Sequence, residues 1–118
     1  MTQSAADSPL SELEYNRLTA SILADVEAQL DVWLQSDVVD IDSARTGGLL
    51  EMSFPNGSKI ILNTQPPLRE LWLAARAGGF HFRHHQGHWV DTKDGRNFFQ
   101  TLSACTSEQA GQPLSFSA

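Results

Sequence analysis

The sequence predicts an α+β sandwich, with two helices packed on one face of an antiparallel β-sheet. Apolar residues recur at three- and four-residue steps near the start of the chain and again near its end. Between these stretches they alternate singly with polar residues, and Gly, Pro and Asn separate the short runs. A helix, a run of strands and a second helix around one core is the α+β arrangement. The 118 residues suit one domain, 1–118, with a single modest core, and residues 1–9 are expected to form a flexible start.

The first helix opens at Ser11. Ser11 and Glu14 have the spacing of a capping box, and Leu10 with Tyr15 can close a hydrophobic staple around it. Tyr15, Leu18, Ile22, Val26, Leu30 and Trp33 then form one apolar stripe. Glu14, Asp25, Glu27 and Asp31 fall off that stripe on a helical wheel. Glu27 and Asp31 are neighbours four residues apart, and like charges so placed cost an isolated helix roughly 0.2–0.5 kcal/mol. Nothing nearby in the sequence offsets the repulsion.

After the helix, Val38, Val39 and Ile41 are predicted as a short strand with an acidic edge of Asp37, Asp40 and Asp42. Gly47-Gly48 turns the chain into a hairpin. Leu50, Met52 and Phe54 share one face of the next strand, and Ile60 and Leu62 must join them. Parity selects the loop. A two-residue Asn56-Gly57 turn sets Phe54 opposite Lys59 and buries a lysine. The three-residue loop Pro55-Asn56-Gly57 sets Met52 opposite Ile60 and Leu50 opposite Leu62, and it is predicted here with Gly57 left-handed. Glu51, Lys59, Ile61, Asn63 and Gln65 then point away from the core.

The segment LRELWLAARAGG fits two periods. Leu68, Leu71, Trp72 and Ala75 fit a helix, whereas Leu71 and Leu73 alternating with Glu70, Trp72 and Ala74 fit a strand. Tryptophan and flanking turns at Pro66-Pro67 and Gly78-Gly79 lean toward strand, with Trp72 outward. In FHFRHHQGHWV, Phe80, Phe82 and His84 share one face and His81, Arg83 and His85 the other. A Gln86-Gly87 turn sets His85 opposite His88 and His84 opposite Trp89. Side chains so opposed lie roughly 4.5–5.5 Å apart at Cβ, close enough for two imidazoles to share a metal. Two imidazoles are not a site, however: no cysteine is near, Asp91 has the wrong parity, and Arg83 adds positive charge. No Ser or Cys nucleophile is arranged with them either. A strand with surface histidines, and His84 packed at the core edge, is the expectation. The last helix is predicted from about Asp94, burying Phe98, Phe99, Leu102 and Cys105 and ending near Gly111 and Pro113.

The net charge of −6 is unevenly spread. Up to Asp42 nine acids stand against the single base Arg17, a balance of −8; the remainder, with seven bases and five acids, is +2. This argues against nucleic acid, which needs a basic face, and fits cations or a basic protein partner. No apolar run approaches the roughly 20 residues of a membrane helix, and the start MTQSAADSPL has neither the basic nor the apolar part of a signal peptide. The single Cys105 leaves no internal disulfide and no cysteine-based zinc or iron–sulfur site. A cytoplasmic protein is expected.

The block FPNGSKIILNTQPPLRELWLAARAGGFHF (54–82), with its NGSKIIxNxQxPLxxxWLA pattern, resembles the frataxin family, most closely its bacterial members. The likeness extends from about Glu14 to Phe116. It implies a two-helix, antiparallel-sheet fold in which 70–75 is a strand and Trp72 lies on the open face. It also implies a role in iron–sulfur cluster assembly, as an iron-binding protein and regulator of the cysteine desulfurase that supplies sulfur to the scaffold protein, or as an iron donor. The family's iron ridge matches Asp25, Glu27 and Asp31 on the helix and Asp37, Asp40 and Asp42 after it. Partner contacts match Glu12 and Glu14 at the helix start and Asn63, Gln65 and Trp72 on the sheet. Ala28 and Val32 stand where bacterial members commonly carry acids, so fewer ligands are expected.

Exposed carboxylates suit hard iron cations, Fe2+ or Fe3+, but an open ridge fixes no cage, so binding is expected to be weak and poorly selective. The rival reading is a ferroxidase or iron-storage protein oxidising ferrous iron at surface carboxylates. Against it, the sequence contains no Glu-x-x-His motif of the kind that builds di-iron bundles. A third reading is an electrostatic adaptor whose metal binding is incidental. No catalytic residue is assigned.

Overall fold

A computed structural model describes residues 10–117; the flexible start expected over 1–9 lies outside the described residues. The elements are α1 (Glu12–Gln35), β1 (Asp42–Thr46), β2 (Leu49–Ser53), β3 (Lys59–Gln65), a short 3-10 turn (Pro66–Leu68), β4 (Glu70–Ala75), β5 (Gly78–His85), β6 (His88–Asp91) and α2 (Phe98–Ala110). The strands form one antiparallel sheet in sequential order, β1-β2-β3-β4-β5-β6. This is the predicted α+β class.

Helix α1 begins as its local sequence dictates. The Ser11 hydroxyl accepts the Glu14 amide at 3.1 Å, and the Glu14 carboxylate accepts the Ser11 amide in return. Its inward stripe buries Tyr15, Ile22, Leu23, Val26, Leu30 and Trp33. Across from it the sheet presents Leu50, Met52, Ile60, Leu62, Leu71, Leu73 and Phe82, each 1 % exposed or less. At about 1.5–3 kcal/mol for each large apolar side chain taken from water, this layer is the main source of stability. The β2–β3 register is the one parity selects, with Met52 opposite Ile60 and Leu50 opposite Leu62. Gly57 takes φ +87° in the connecting turn, a value that L side chains rarely adopt. His85 pairs with His88 and His84 with Trp89, also as predicted.

Three boundaries differ from expectation. Residues 38–41 are not a strand. Asp37 adopts φ +59°, its amide donates to Leu34 O, and the Val38 amide donates to Trp33 O, the paired bonds of a Schellman stop. That backbone is committed to ending α1, so pairing starts only at Asp42, while Ile41 inserts into the core. The β4–β5 turn is Arg76-Ala77 rather than Gly78-Gly79, because Ala75 pairs directly with Gly78. Helix α2 starts at Phe98, not Asp94. The Asp91 carboxylate accepts the Lys93 and Asp94 amides and holds 91–96 in a turn. Asn97 then caps the helix through the Phe99 amide at 2.8 Å. Phe99, expected in the core, is half-buried.

After α2, Gly111 (φ +73°) reverses the chain and the tail runs back along the helix. Ser107 and Ser103 hydroxyls accept the Leu114 and Phe116 amides. Phe116 meets Trp33 of α1 edge to face, with ring centroids 4.9 Å apart.

Candidate functional site

Two surfaces hold the predicted site residues. The first lies between α1 and β1. Glu27, Asp31 and Asp42 line an open groove with Leu30, Leu34 and Ile41 among its apolar lining. Asp25, Asp37 and Asp40 are exposed and do not line the groove. Asp37 occupies the helix stop described above. Glu12 is exposed in the first turn of α1, and Glu14 is engaged in the capping box.

The Glu27–Asp31 repulsion is relieved, contrary to expectation. Arg45 reaches across from β1 and places Nη1 2.7 Å from Glu27 Oε1. Gln35 Nε2 donates to Asp31 Oδ2 at 3.3 Å. Arg45 is 18 positions from Glu27, so no local reading of the helix could pair them. Among the described residues no three His, Cys, Asp or Glu side chains converge closely enough to hold a metal ion. The ridge therefore offers hard oxygen donors without a closed coordination sphere, which fits a hydrated cation held by charge rather than a dehydrated ion in a cage.

The second surface is the outward face of β3, β4 and β5. Trp72 pairs with Asn63 on one side and His81 on the other, and Glu70 pairs with Gln65 and Arg83 in the next row. Leu71 and Leu73 alternate with them and are buried on the core side of β4, and Trp72 is half-buried rather than fully exposed. The Gln65 amide donates to the Tyr15 hydroxyl at 2.9 Å, which anchors this corner of the sheet to α1. Glu70, His81 and Arg83 lie on this face but outside the site residues the sequence predicts. The pairing of Trp72 with His81 follows from the observed Arg76-Ala77 turn, whereas the sequence places the turn at Gly78-Gly79.

Among the described residues the histidines join no group of three or more potential metal ligands. His84 packs edge to face on Trp89 with centroids 5.2 Å apart, and burial lowers its pKa below 6.5, with His88 adding repulsion and Glu14 opposing both. Cys105 is a buried free thiol whose pKa is raised, chiefly by burial. Among the described residues no helix is long and apolar enough to cross a membrane.

The family described as "Frataxin-like domain" matches residues 8–112. An iron–sulfur cluster assembly protein CyaY from Polaromonas sp. is 48% identical over 109 residues, which cover 92% of this chain and 94% of that one. A protein of the same name from Cupriavidus taiwanensis is 48% identical over 108 residues, 92% and 97% of the two chains. Among solved structures, frataxin from Psychromonas ingrahamii superposes with a TM-score of 0.81 at 28% identity, over 92% of this chain and all (100%) of that one. Trimeric frataxin from Saccharomyces cerevisiae, solved in complex with ferrous iron, shares the fold at TM-score 0.63 and 21% identity, over 95% and 100% of the two chains.

Proposed function

This chain belongs to the frataxin family, and from that premise we propose that it is a non-enzymatic iron-binding protein of iron–sulfur cluster assembly. The observation that carries the reading is the groove between α1 and β1, which Glu27, Asp31 and Asp42 all line. Asp25, Asp37 and Asp40 add exposed negative charge to the same acidic first third of the chain. Iron is cargo or signal here, held weakly as a hydrated cation. The partners are the cysteine desulfurase and the scaffold protein on which clusters are built. They approach the ridge by charge and dock on the sheet face at Asn63, Gln65 and Trp72, with Glu12 and Glu14 at its margin. The chain acts as one domain in the cytoplasm and slows the desulfurase in response to iron, donates iron to the scaffold, or both.

Anaerobic titration with ferrous iron followed by NMR tests the site. Amides from Asp25 to Asp42 are expected to broaden first and at modest affinity, with manganese competing. Broadening centred on His81 to His88 would overturn the assignment. Oxygen uptake with ferrous iron, measured with and without the desulfurase, separates binding from iron oxidation. Uptake well above the protein-free rate would replace this reading with a ferroxidase.

A further inference from the structure

Around Trp72 the sheet face carries contacts that docking alone does not require. The indole Nε1–H donates to Glu70 Oε1 at 2.9 Å. The His81 ring lies flat against the indole, with centroids 4.0 Å apart and planes 6° from parallel. Arg83 Nη2 donates to the other carboxylate oxygen, Glu70 Oε2, at 3.2 Å, and His81 Nδ1 lies 3.9 Å from Oε1. Glu70 sits on the outward side of β4 yet is only 7 % exposed. A carboxylate so shielded from water must be met by donors, and here the indole and the guanidinium are those donors.

A tryptophan side chain turns about two torsions, of which the second is broad. A hydrogen bond at the rim and a ring stacked on the plane restrain both. We propose that Glu70 and His81 are positioning residues for Trp72: Glu70 fixes the edge of the indole, His81 fixes its plane, and Arg83 holds the Glu70 carboxylate in place. The consequence for docking rests on the reading of Trp72 as a partner contact. A partner meets an indole already in one orientation and loses less entropy in ordering it. Because Nε1–H is committed to Glu70, the indole offers π surface and no donor. It fits an aliphatic or guanidinium group of the partner rather than a carbonyl acceptor.

The test reads the Trp72 indole N–H by NMR in the full chain, with Trp72→Phe assigning the signal. In Glu70→Ala and His81→Ala the resonance is expected to move, and its exchange with water to speed by about tenfold as the indole is released. Glu70→Gln, which keeps an acceptor oxygen, and His81→Phe, which keeps a stacking ring, are expected to stay within about twofold of the parent. Desulfurase affinity is expected to fall about fivefold in the two alanine variants and to recover in the other two, the size of one lost hydrogen bond or restraint. His81 is exposed, so its variants report even where Glu70→Ala unfolds. An unchanged indole signal in His81→Ala and in folded Glu70→Ala overturns the proposal, and so do Gln and Phe variants that match the alanines. A released indole with unaltered affinity overturns its service to docking. Trp72→Ala that binds the desulfurase as tightly as the parent overturns the docking reading instead, and the indole signal still judges Glu70 and His81.

Discussion

Leu71, Trp72 and Leu73 are consecutive, yet they lose very different amounts of water on folding. The leucines are 0 % and 1 % exposed, so Leu71→Ala or Leu73→Ala is expected to cost about 2–5 kcal/mol. Trp72 is half-buried, and one hydrogen bond and one stacked ring hold it, so Trp72→Ala is expected to cost about 1–2 kcal/mol. Partner binding should respond in the opposite order, with Trp72→Ala losing about 2 kcal/mol or more. Urea unfolding paired with desulfurase binding checks both orders; Trp72→Ala that unfolds as readily as the leucine variants would make it a core residue. His84 gives a pH signature. Its folded pKa lies below 6.5, chiefly through burial, so the unfolded chain binds the proton more readily. Its contribution is therefore fully present above pH 6.5 and is lost as pH falls through the folded value. Melting temperature of the parent is expected to drop below pH 6.5 more steeply than that of His84→Gln, and parallel curves would contradict the assignment.

At the scale of elements, β1 and α1 are joined by an ion pair that relieves a repulsion visible in the helix sequence. Arg45 and Glu27 retain 28% and 34% side-chain exposure, so the pair belongs with partly screened surface bridges. A double-mutant cycle of Arg45→Ala and Glu27→Gln is expected to give a coupling of about 0.2–1 kcal/mol that shrinks in high salt. Asp31→Asn relieves the neighbouring repulsion but weakens its bond from Gln35, so thermal unfolding should place it within about 0.5 kcal/mol of the parent. A clear drop would identify a structural partner of Asp31. The tail beyond α2 behaves as part of the core: Phe116 is 5 % exposed against Trp33. Phe116→Ala is expected to cost about 3–5 kcal/mol in the same measurement.

For the whole molecule, the balance of −8 up to Asp42 against +2 beyond it gives the chain a polarised charge distribution. Long-range attraction of this kind acts on encounter, whereas desolvated contact acts on residence. Neutralising Asp25, Asp31 and Asp42 together to Asn is expected to slow association with the desulfurase at low salt. That difference should fade as the Debye length shortens from about 8 Å at physiological ionic strength to about 3 Å at 1 M. Trp72→Ala is expected to speed dissociation at every salt concentration. Stopped-flow and dissociation measurements across salt separate the two, and a salt-independent defect in the Asn variant would show that the ridge makes direct contact instead of steering.

How much of this was legible in the sequence depends on the range of the interaction. The capping box of Ser11 and Glu14, the stripe from Tyr15 to Trp33, and the Met52–Ile60 register follow from neighbours a few residues apart, where period and turn parity leave a pattern. The outward placement of Trp72 follows from alternation only once 70–75 is read as a strand, which the resemblance to frataxins decided and the local pattern did not. Strand β1 left none, because Asp42–Thr46 is exposed throughout and owes its place to pairing with β2. The stop at Asp37 displaced the strand expected at 38–41, since a left-handed aspartate carries no periodic signal. Arg45 on Glu27, His81 and Glu70 on Trp72, and Phe116 on Trp33 required the fold itself. Each depends on chain segments brought together only when the sheet and helices pack. The sequence by itself thus determined the class, the main helices and strands, and the acidic first third. Tertiary structure decided which carboxylates share a groove and which side chains hold the tryptophan, because contacts across the fold obey packing geometry rather than spacing along the chain.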